Sequence, residues 1–278
     1  MECRPDARER TGTECISAGE PGRRENIPSR VWGLSGSALK WIAIVTMFID
    51  HLGGSLFEIY VLNGFGTAPY QGFWDLPDFW IDNLLLLDRY LRMVGRIAFP
   101  IFCFLLVEGF CHTRNIRKYA LRLGIFCLVS EVPFDLAFRG LPFYWQYQNV
   151  FFTLLLGLLG IWALEYFKGP KRIFGILTAV AAAVLADILH TDYGAFGVAF
   201  IEVLYLFRGR RALCTAAGVV CLFLYGGIEF IGALAFLPIH FYNGTRGRQP
   251  KYFFYVFYPV HLLALAAVGR IVIPYLLG

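Results

Sequence analysis

Long apolar stretches separated by short polar connections account for most of this chain. Nine of them can be placed, at about 38–60, 94–112, 118–138, 147–167, 172–190, 192–207, 212–226, 228–243 and 252–274. A helix needs about 20 mostly apolar residues to cross the hydrocarbon core of a bilayer. The pattern therefore predicts an all-α, polytopic integral membrane protein with about nine transmembrane helices, in a range of roughly eight to ten.

The first 37 residues do not share this pattern. They mix acids, arginines, Gly and Pro without any hydrophobic period, and they lack the apolar core of a secretory signal peptide. A segment of this composition cannot bury enough apolar surface to fold by itself. We expect residues 1–37 to be a disordered cytosolic tail and residues 38–278 to be one transmembrane domain.

The composition indicates that the solvent of this chain is lipid. Hydrophobic residues make up 58% of it and charged residues 16%, whereas a soluble domain carries about 25% charged residues. The net charge of +5 comes from basic residues in short loops, so membrane topology explains it better than a nucleic-acid partner does. The seven cysteines show neither a CxxC motif nor Cys/His ligand spacing, so we predict neither a disulfide framework nor a metal site.

The connections between the apolar stretches alternate in charge. The basic ones are 112–122, 168–172, 208–211 and 243–251, and those between them are acidic or neutral. All the basic loops therefore fall on one side, which the positive-inside rule makes cytoplasmic, with the N-terminus inside. The long 61–93 connection is then external, and its mixture of apolar and charged residues over 79–93 predicts an amphipathic helix at the outer interface.

Asp50 and His51 stand side by side near the middle of the first apolar stretch. Ionisable residues are costly inside a bilayer, so they mark a functional site unless a structural partner explains them. A carboxylate close to an imidazole fixes its tautomer, as a general base requires. Other polar groups fall at the same depth, and we expect them to satisfy one another around an outward-facing cavity: Arg96, Glu131, Asp135, Asn149, Asp187, His190 and Asp192.

A second group of polar residues lies near the predicted inner face. It consists of loop residues Arg114, Arg117, Lys118, Arg122, Arg246, Arg248 and Lys251. The positive-inside rule alone accounts for them. The sharper interpretation is a cradle for a polyanionic cytosolic ligand, to which arginine offers bidentate contacts. Tyr258 and His261 lie about 10–14 Å along the last apolar stretch, between this group and the outer cavity.

Five stretches of the membrane domain resemble the TraX family of bacterial membrane proteins: IDHLGG, VGRIAFPIFCFLLVEGFCHTRN, KYALRLGIFCLVSEVPFDLAF, NVFFTLLLG and YNGTRGRQPKYFFYVFYPVHLLAL. The resemblance covers nearly the whole region from residue 38 onward. The family takes its name from a conjugation protein that acetylates the N-terminus of pilin, and it is similar to membrane acyltransferases that use acyl-CoA. The resemblance implies a location in the bacterial cytoplasmic membrane and acetyl-CoA as co-substrate.

The resemblance also assigns roles. A first-span histidine is the proposed base of those acyltransferases and corresponds to His51, and an arginine-containing second-span motif corresponds to Arg96. We expect acetyl transfer from cytosolic acetyl-CoA to an amine or hydroxyl acceptor at the outer half of the membrane. Asp50 would orient or polarise His51, and Arg96 would stabilise the oxyanion or neutralise a buried carboxylate such as Glu131. Acyl-CoA would bind at the inner basic loops, and its thioester would pass along Tyr258 and His261.

Other functional classes stay open. The same acids and histidines are typical of a proton or cation path in a transporter or channel. A non-catalytic membrane component of a conjugation or secretion machine is a third class. The acceptor itself is open among peptides, glycans and small molecules, and the lipid bilayer is the one partner that the composition specifies.

Overall fold

Capping residues set the ends of several helices. The side chains of Ser35, Asn115 and Asn149 each accept a hydrogen bond from a backbone N–H in the first turn of the helix that follows. Such caps satisfy donors that have no partner inside the helix. Gly140 stops another helix in the left-handed conformation (φ 69°), which glycine adopts without steric cost.

The structure, a computed structural model, describes residues 32–62, 78–248 and 253–272. Its helices are α1 (Gly36–His51), α2 (Asp78–Gly95), α3 (Ala98–His112), α4 (Ile116–Arg139), α5 (Val150–Tyr166), α6 (Arg172–Ile188), α7 (Gly194–Phe207), α8 (Arg211–Tyr225), α9 (Phe236–His240) and α10 (Phe253–Ala267). π-Helical turns extend α1 over Leu52–Leu62 and α10 over Val268–Val272, and 3-10 turns precede α6 (Gly169–Lys171) and α9 (Gly227–Ala235). Within the described ranges no strand forms, so the all-α prediction is confirmed.

Three helical stretches of the described chain are long and apolar enough to cross a membrane: Gly36–Ile59, Ile81–His112 and Phe253–Ile271. Four shorter apolar helices accompany them: Val150–Tyr166, Gly194–Phe207, Arg211–Tyr225 and Gly227–His240. These helices are compatible with a membrane protein. The count of nine spans and the cytoplasmic N-terminus remain predictions, and most of the 1–37 tail lies outside the described residues.

Small residues let the central helices approach one another. The buried positions of α6 are Gly175, Ala179, Ala182 and Ala186, and α6 packs against both α5 and α7. Close approach through small side chains is typical of membrane helices, where apolar burial supplies little driving force. The other faces of α6 expose large apolar side chains, which a bilayer would cover: Ile173, Phe174, Leu177, Val180 and Val184.

The segment predicted to be amphipathic, 79–93, forms α2. A short turn separates α2 from α3, and from Ile81 to His112 they make a helical stretch of 32 residues. At 1.5 Å per residue this stretch is about 48 Å long, well beyond the roughly 30 Å of hydrocarbon in a bilayer. Part of it must therefore lie along or outside the hydrocarbon region. Residues 63–77 of the same connection lie outside the described chain.

The polar connections gather at two opposite ends of the helices. At one end Phe110 packs on Tyr205 with ring centroids 5.5 Å apart, and the Tyr205 hydroxyl donates to Glu165. At the same end the start of α1 is held by the loop before α10, since Gly36 N–H donates to Thr245 O at 2.8 Å. The described parts of all four predicted basic loops adjoin these contacts, and we call this the basic end. The opposite end, which carries Asp50, Arg96, Asp192 and Glu229, is the acidic end.

Helices α1 and α10 run side by side in the same direction. Trp41 packs on Phe253 with ring centroids 5.0 Å apart, and further along Phe48 meets Phe257 at 6.3 Å. One turn beyond, His51 lies against His261, with ring centroids 5.0 Å apart. This alignment brings together two histidines that are 210 positions apart in the sequence.

Candidate functional site

A chain of alternating charges crosses the acidic end. Arg96, at the turn into α3, donates from one guanidinium nitrogen to Asp50 Oδ1 at 2.6 Å and from the other to Glu229 Oε1 at 2.7 Å. The second oxygen of Asp50 lies 2.8 Å from Arg92, whose Nε lies 3.2 Å from Glu58. Arg96 is buried, so each of its charge-assisted hydrogen bonds is strengthened by the low dielectric around it.

Gly95 makes the close approach of α1 and α2 possible. A Cβ atom at this position would overlap the side chain of Asp50. The absence of that atom lets the α1 carboxylate reach Arg96, the residue that follows the glycine. The sequence VGRIAF therefore encodes both the turn into α3 and the docking surface for Asp50.

His51 and His261 form a buried pair beside this network. His51 Nδ1 lies 2.7 Å from His261 Nε2, and the ring planes are within 7° of parallel. The side chains are 8% and 5% exposed. Phe138 and Tyr258 close the pocket edge-on, with ring centroids 5.3 and 5.8 Å from the imidazole of His51. The partner of His51 is thus another histidine.

Two contacts expected for the predicted catalytic residues, His51, Asp50 and Arg96, differ in the structure. Asp50 was expected to orient His51, yet both of its carboxylate oxygens are engaged by arginines, which bind a carboxylate far more strongly than a neutral imidazole does. Glu131 was one expected partner of Arg96, but it accepts from the side chain of Asn149 at 2.5 Å. Arg96 instead pairs with Asp50 and Glu229.

A polar cavity of about 520 Å³ opens next to Arg96. Its walls come from the 140–149 connection, from the turn between α6 and α7, and from the end of α8 with the residues that follow it. The lining residues are Arg96, Tyr147, Asp187, Thr191, Asp192, Tyr193, Gly194, Ala195, Phe196, Tyr225 and Glu229. Three carboxylates face one guanidinium there, so the cavity carries an excess of negative charge.

The turn between α6 and α7 forms the most constrained wall of this cavity. His190 and Tyr193 adopt positive φ angles of 51° and 65°, a costly conformation for residues other than glycine and one that concentrates at functional sites. Between them Asp192 accepts from the Tyr147 hydroxyl at 2.7 Å. Burial raises the pKa of Asp192 to about 6 in spite of that hydrogen bond. The charge of this wall therefore changes just below neutral pH.

Of the six residues predicted to surround an acceptor cavity, the structure brings Asp187 and Asp192 to it. The other four lie elsewhere for identifiable reasons. Asn149 caps α5 and holds Glu131 between α4 and α5. Asp135 accepts from the backbone N–H of Tyr144 at 2.7 Å, and His190 is exposed.

Sequence reasoning missed Glu229, Tyr147 and Tyr193 as cavity residues. The two tyrosines lie in connections from which only other side chains were predicted to reach the cavity, and Glu229 lies in one that was noted only for its lack of basic residues. Glu229 reaches Arg96 because the chain after α8 turns back in a 3-10 helix. The sequence feature that could have identified Glu229 is a single acidic residue among apolar ones, GGIEF.

At the basic end the predicted acyl-CoA residues are spread out. Arg114 is exposed just before α4, and the other three basic residues of that loop are exposed along the first turns of the helix: Arg117, Lys118 and Arg122. Arg246 is exposed in the loop that holds the start of α1. Lys251 lies outside the described residues. Tyr258 and His261 are buried with His51 rather than near these loops. A small cavity of about 30 Å³ lies at this end between Glu108, Arg208 and Arg211.

The fold and this site define an all-helical protein, compatible with a membrane, that holds ionic and histidine pairs between its helices. The family model described as TraX protein matches residues 35–269, and the chain belongs to the TraX family. It is similar to the probable fimbrial assembly protein FimC, serogroup H1, of Dichelobacter nodosus, with 31% identity over 266 residues that cover 86% of this chain and 97% of the relative. No solved structure matches the chain.

Proposed function

We propose that this protein is a membrane acetyltransferase of the TraX family that moves an acetyl group from cytosolic acetyl-CoA to an acceptor bound in the cavity at the acidic end. The observation that carries the proposal is the buried imidazole of His51, next in sequence to a carboxylate that Arg96 connects to the cavity wall. An ionisable side chain buried within a membrane domain is by default a candidate functional residue.

The reaction uses His51 as general base. Its imidazole takes the proton of the acceptor N–H or O–H while that nitrogen or oxygen forms a bond to the acetyl carbon. The carbon–sulfur bond of the thioester then breaks, and the same proton passes from His51 to the departing CoA thiolate. Arg96 supplies the positive charge at the cavity wall, where it stabilises negative charge that develops during the transfer.

The lining of the cavity favours an amine over a hydroxyl acceptor. Asp187, Asp192 and Glu229 outnumber the single guanidinium of Arg96, so a cationic group is attracted to the cavity. The aromatic wall formed by Tyr225 stacked on Phe196, with ring centroids 4.0 Å apart, adds a surface for such a group. The amine would bind as a cation and give one proton to a carboxylate of the lining, and the neutral amine would then react at His51.

The co-substrate would arrive from the basic end, where arginine and lysine side chains suit the phosphates of CoA. The cavity of about 30 Å³ at that end has room for little more than one water molecule. We therefore infer that helices near Glu108 and Arg211 move apart when acetyl-CoA enters. The acetyl group then travels along α1 to His51.

The proposal is tested with purified full-length protein in bilayers and radiolabelled acetyl-CoA. The acceptors are a short peptide with a free N-terminal amine, the same peptide with a blocked N-terminus, and an amino sugar. Enzyme-dependent label on the free-amine peptide, absent from the blocked one, is expected. If no acceptor is labelled at any concentration, and CoA is released no faster than in protein-free vesicles, acetyl transfer is contradicted.

The orientation gives a prediction that is independent of the chemistry. In a background without native cysteines, single cysteines at Arg114 of the basic end and at Trp145 of the 140–149 connection should label oppositely with a membrane-impermeant maleimide. Trp145→Cys should react in intact cells, and Arg114→Cys only after permeabilisation, because basic loops stay cytoplasmic. Leu128→Cys, on the exposed apolar face of α4, is the control and should stay unlabelled in both conditions. The reverse pattern would put the cavity in the cytosol.

One observation favours a transporter as second candidate. The unbroken series from Glu58 through Arg92, Asp50 and Arg96 to Glu229 has the alternating charges of a proton or cation path. In proteoliposomes with an imposed proton gradient, such a protein accumulates solute or collapses the gradient, whereas an acetyltransferase does neither. The same preparation used for acetyl transfer therefore decides between the two classes.

The name of the Dichelobacter nodosus relative refers to fimbrial assembly. We propose that this chain also has a role in the assembly of surface fibres. The acetyl acceptor would then be a subunit of the fibre. A non-catalytic role in such an assembly is the remaining alternative. It requires that a variant lacking the imidazole of His51 support fibre formation as well as the natural protein does.

A further inference from the structure

The hydrogen bonds of the two buried histidines determine which nitrogen of each carries the proton. His261 Nδ1 lies 2.8 Å from the carbonyl oxygen of Phe257. A carbonyl oxygen only accepts, so His261 Nδ1 must be the protonated nitrogen, and in the neutral ring Nε2 has the lone pair. His51 Nδ1, 2.7 Å from that lone pair, is therefore an N–H donor. The lone pair of His51 is consequently on Nε2.

We propose that His261 is the positioning residue of the base: it holds His51 in the tautomer whose Nε2 accepts the acceptor's proton. This inference rests on the acetyl transfer proposed above and deepens it. His261 would act through His51 alone, without touching either substrate. It replaces the role first expected for His261, which was to line the path of the thioester.

The surroundings of His261 fix its own position. Its ring stacks on Phe257 at 4.7 Å and meets Phe48 edge-on at 6.0 Å. It is 5% exposed and is anchored to the backbone of its own helix through Nδ1. A rotation of this ring would break both hydrogen bonds at once. The His261 lone pair that accepts the hydrogen bond of His51 therefore has a fixed direction, as pre-organised catalysis requires.

The proton movement is consistent with this arrangement. When His51 Nε2 takes the acceptor's proton, His51 becomes an imidazolium whose Nδ1–H still donates to His261 Nε2. The positive charge is thereby shared across a hydrogen bond in a site without bulk water. A carboxylate usually has this second role in catalytic triads. Here Asp50 is unavailable because two arginines bind it.

Two substitutions separate positioning from packing. His261→Leu fills the space but removes the hydrogen-bond acceptor of His51 Nδ1. It should lower the turnover number for acetyl transfer by about 10²-fold and leave the KM for the peptide unchanged. His261→Gln keeps an acceptor oxygen within reach of His51 and should stay within about tenfold of the natural protein. Leu265→Ala is the matched control, one turn further along the same helix and equally buried. It reduces packing without touching the histidine pair and should leave the turnover number unchanged.

A double substitution gives the stricter test. If His261 acts only through His51, then His51→Ala with His261→Leu should be no slower than His51→Ala alone. If the fold losses in turnover of the two single variants multiply in the double variant, His261 affects the reaction by another route, and the proposal is overturned. Equal turnover for His261→Leu and the natural protein would overturn it as well, while leaving acetyl transfer itself intact.

A measurement that does not depend on enzymatic activity tests the tautomer of His51 even if no acetyl transfer is detected. Nitrogen-15 spectra of histidine-labelled protein in bilayers distinguish protonated from unprotonated ring nitrogens, and the five histidines are assigned by single substitution. His51 should show a protonated Nδ1 and an unprotonated Nε2 in the natural protein, and a mixture of tautomers in His261→Leu. The opposite tautomer in the natural protein would refute the inference, whatever the assay of acetyl transfer gives.

Discussion

Replacing His51 with alanine is expected to slow acetyl transfer by about 10²–10⁴-fold, the usual contribution of a general base. The substitution removes the proton acceptor proposed at the end of α1, His51 Nε2, whose lone pair the contact with His261 defines. Its effect should fall on the turnover number, because the acceptor binds at residues of the cavity that do not include His51. The measurement is the initial rate of label transfer from acetyl-CoA to a free-amine peptide at saturating peptide.

The control is Leu128→Ala, which shortens an exposed side chain on the apolar face of α4, away from both cavities. It should transfer acetyl groups at the rate of the natural protein. Both variants need to be present in the membrane in equal amounts, as judged by an epitope tag. A His51→Ala protein that is present in normal amount and transfers at the natural rate would exclude this histidine as the base.

Replacing Arg96 with methionine is expected to destabilise the fold by about 3–5 kcal/mol, the cost of leaving a buried charge without its partner. Glu229, 2.7 Å from the guanidinium, loses its ion-pair partner, and Asp50 loses one of its two arginines and keeps Arg92. Arg96→Lys should recover only part of the loss, because an ammonium group does not reach two carboxylates in a fixed fork. Thermal unfolding of the protein in detergent measures the difference.

The control for Arg96 is Arg89→Met on the exposed face of α2, where loss of a surface charge should change the unfolding temperature little. Combining Arg96→Met with Glu229→Gln should recover part of the stability, since the carboxylate that has lost its partner is then replaced by a neutral amide. If Arg96→Met and Arg89→Met unfold at the same temperature, the charge network at the acidic end does not stabilise the fold.

The helices could be predicted from the sequence because apolar length and capping residues are local signals. Asn115 and Asn149 stand where α4 and α5 begin, and the nine apolar stretches each contain helical structure. The gathering of basic loops at one end followed from the alternation of their charges. These features depend on short segments of chain, and no knowledge of neighbouring helices is needed to find them.

The contacts within the site could not be predicted in the same way. Counting residues gives the depth of a side chain but not the direction in which it points, nor the helix that it meets. Glu131 and Arg96 were placed at similar depth, yet Asn149 binds one and Asp50 the other. The role of His261 depends on α1 and α10 running side by side, a pairing of segments that are far apart in the chain.

The pairing of α1 with α10 has a consequence for biosynthesis. His51 is made early, but its partner follows 210 residues later, which at about 5–20 residues per second is a delay of roughly 10–40 s. A nascent or prematurely terminated chain would insert several helices and reach the membrane without the second imidazole. Under the proposed mechanism, His51 is therefore held in one tautomer only after the ribosome has completed α10. If the protein is the acetyltransferase proposed above, incomplete products would transfer acetyl groups slowly at best, as expected of His261→Leu.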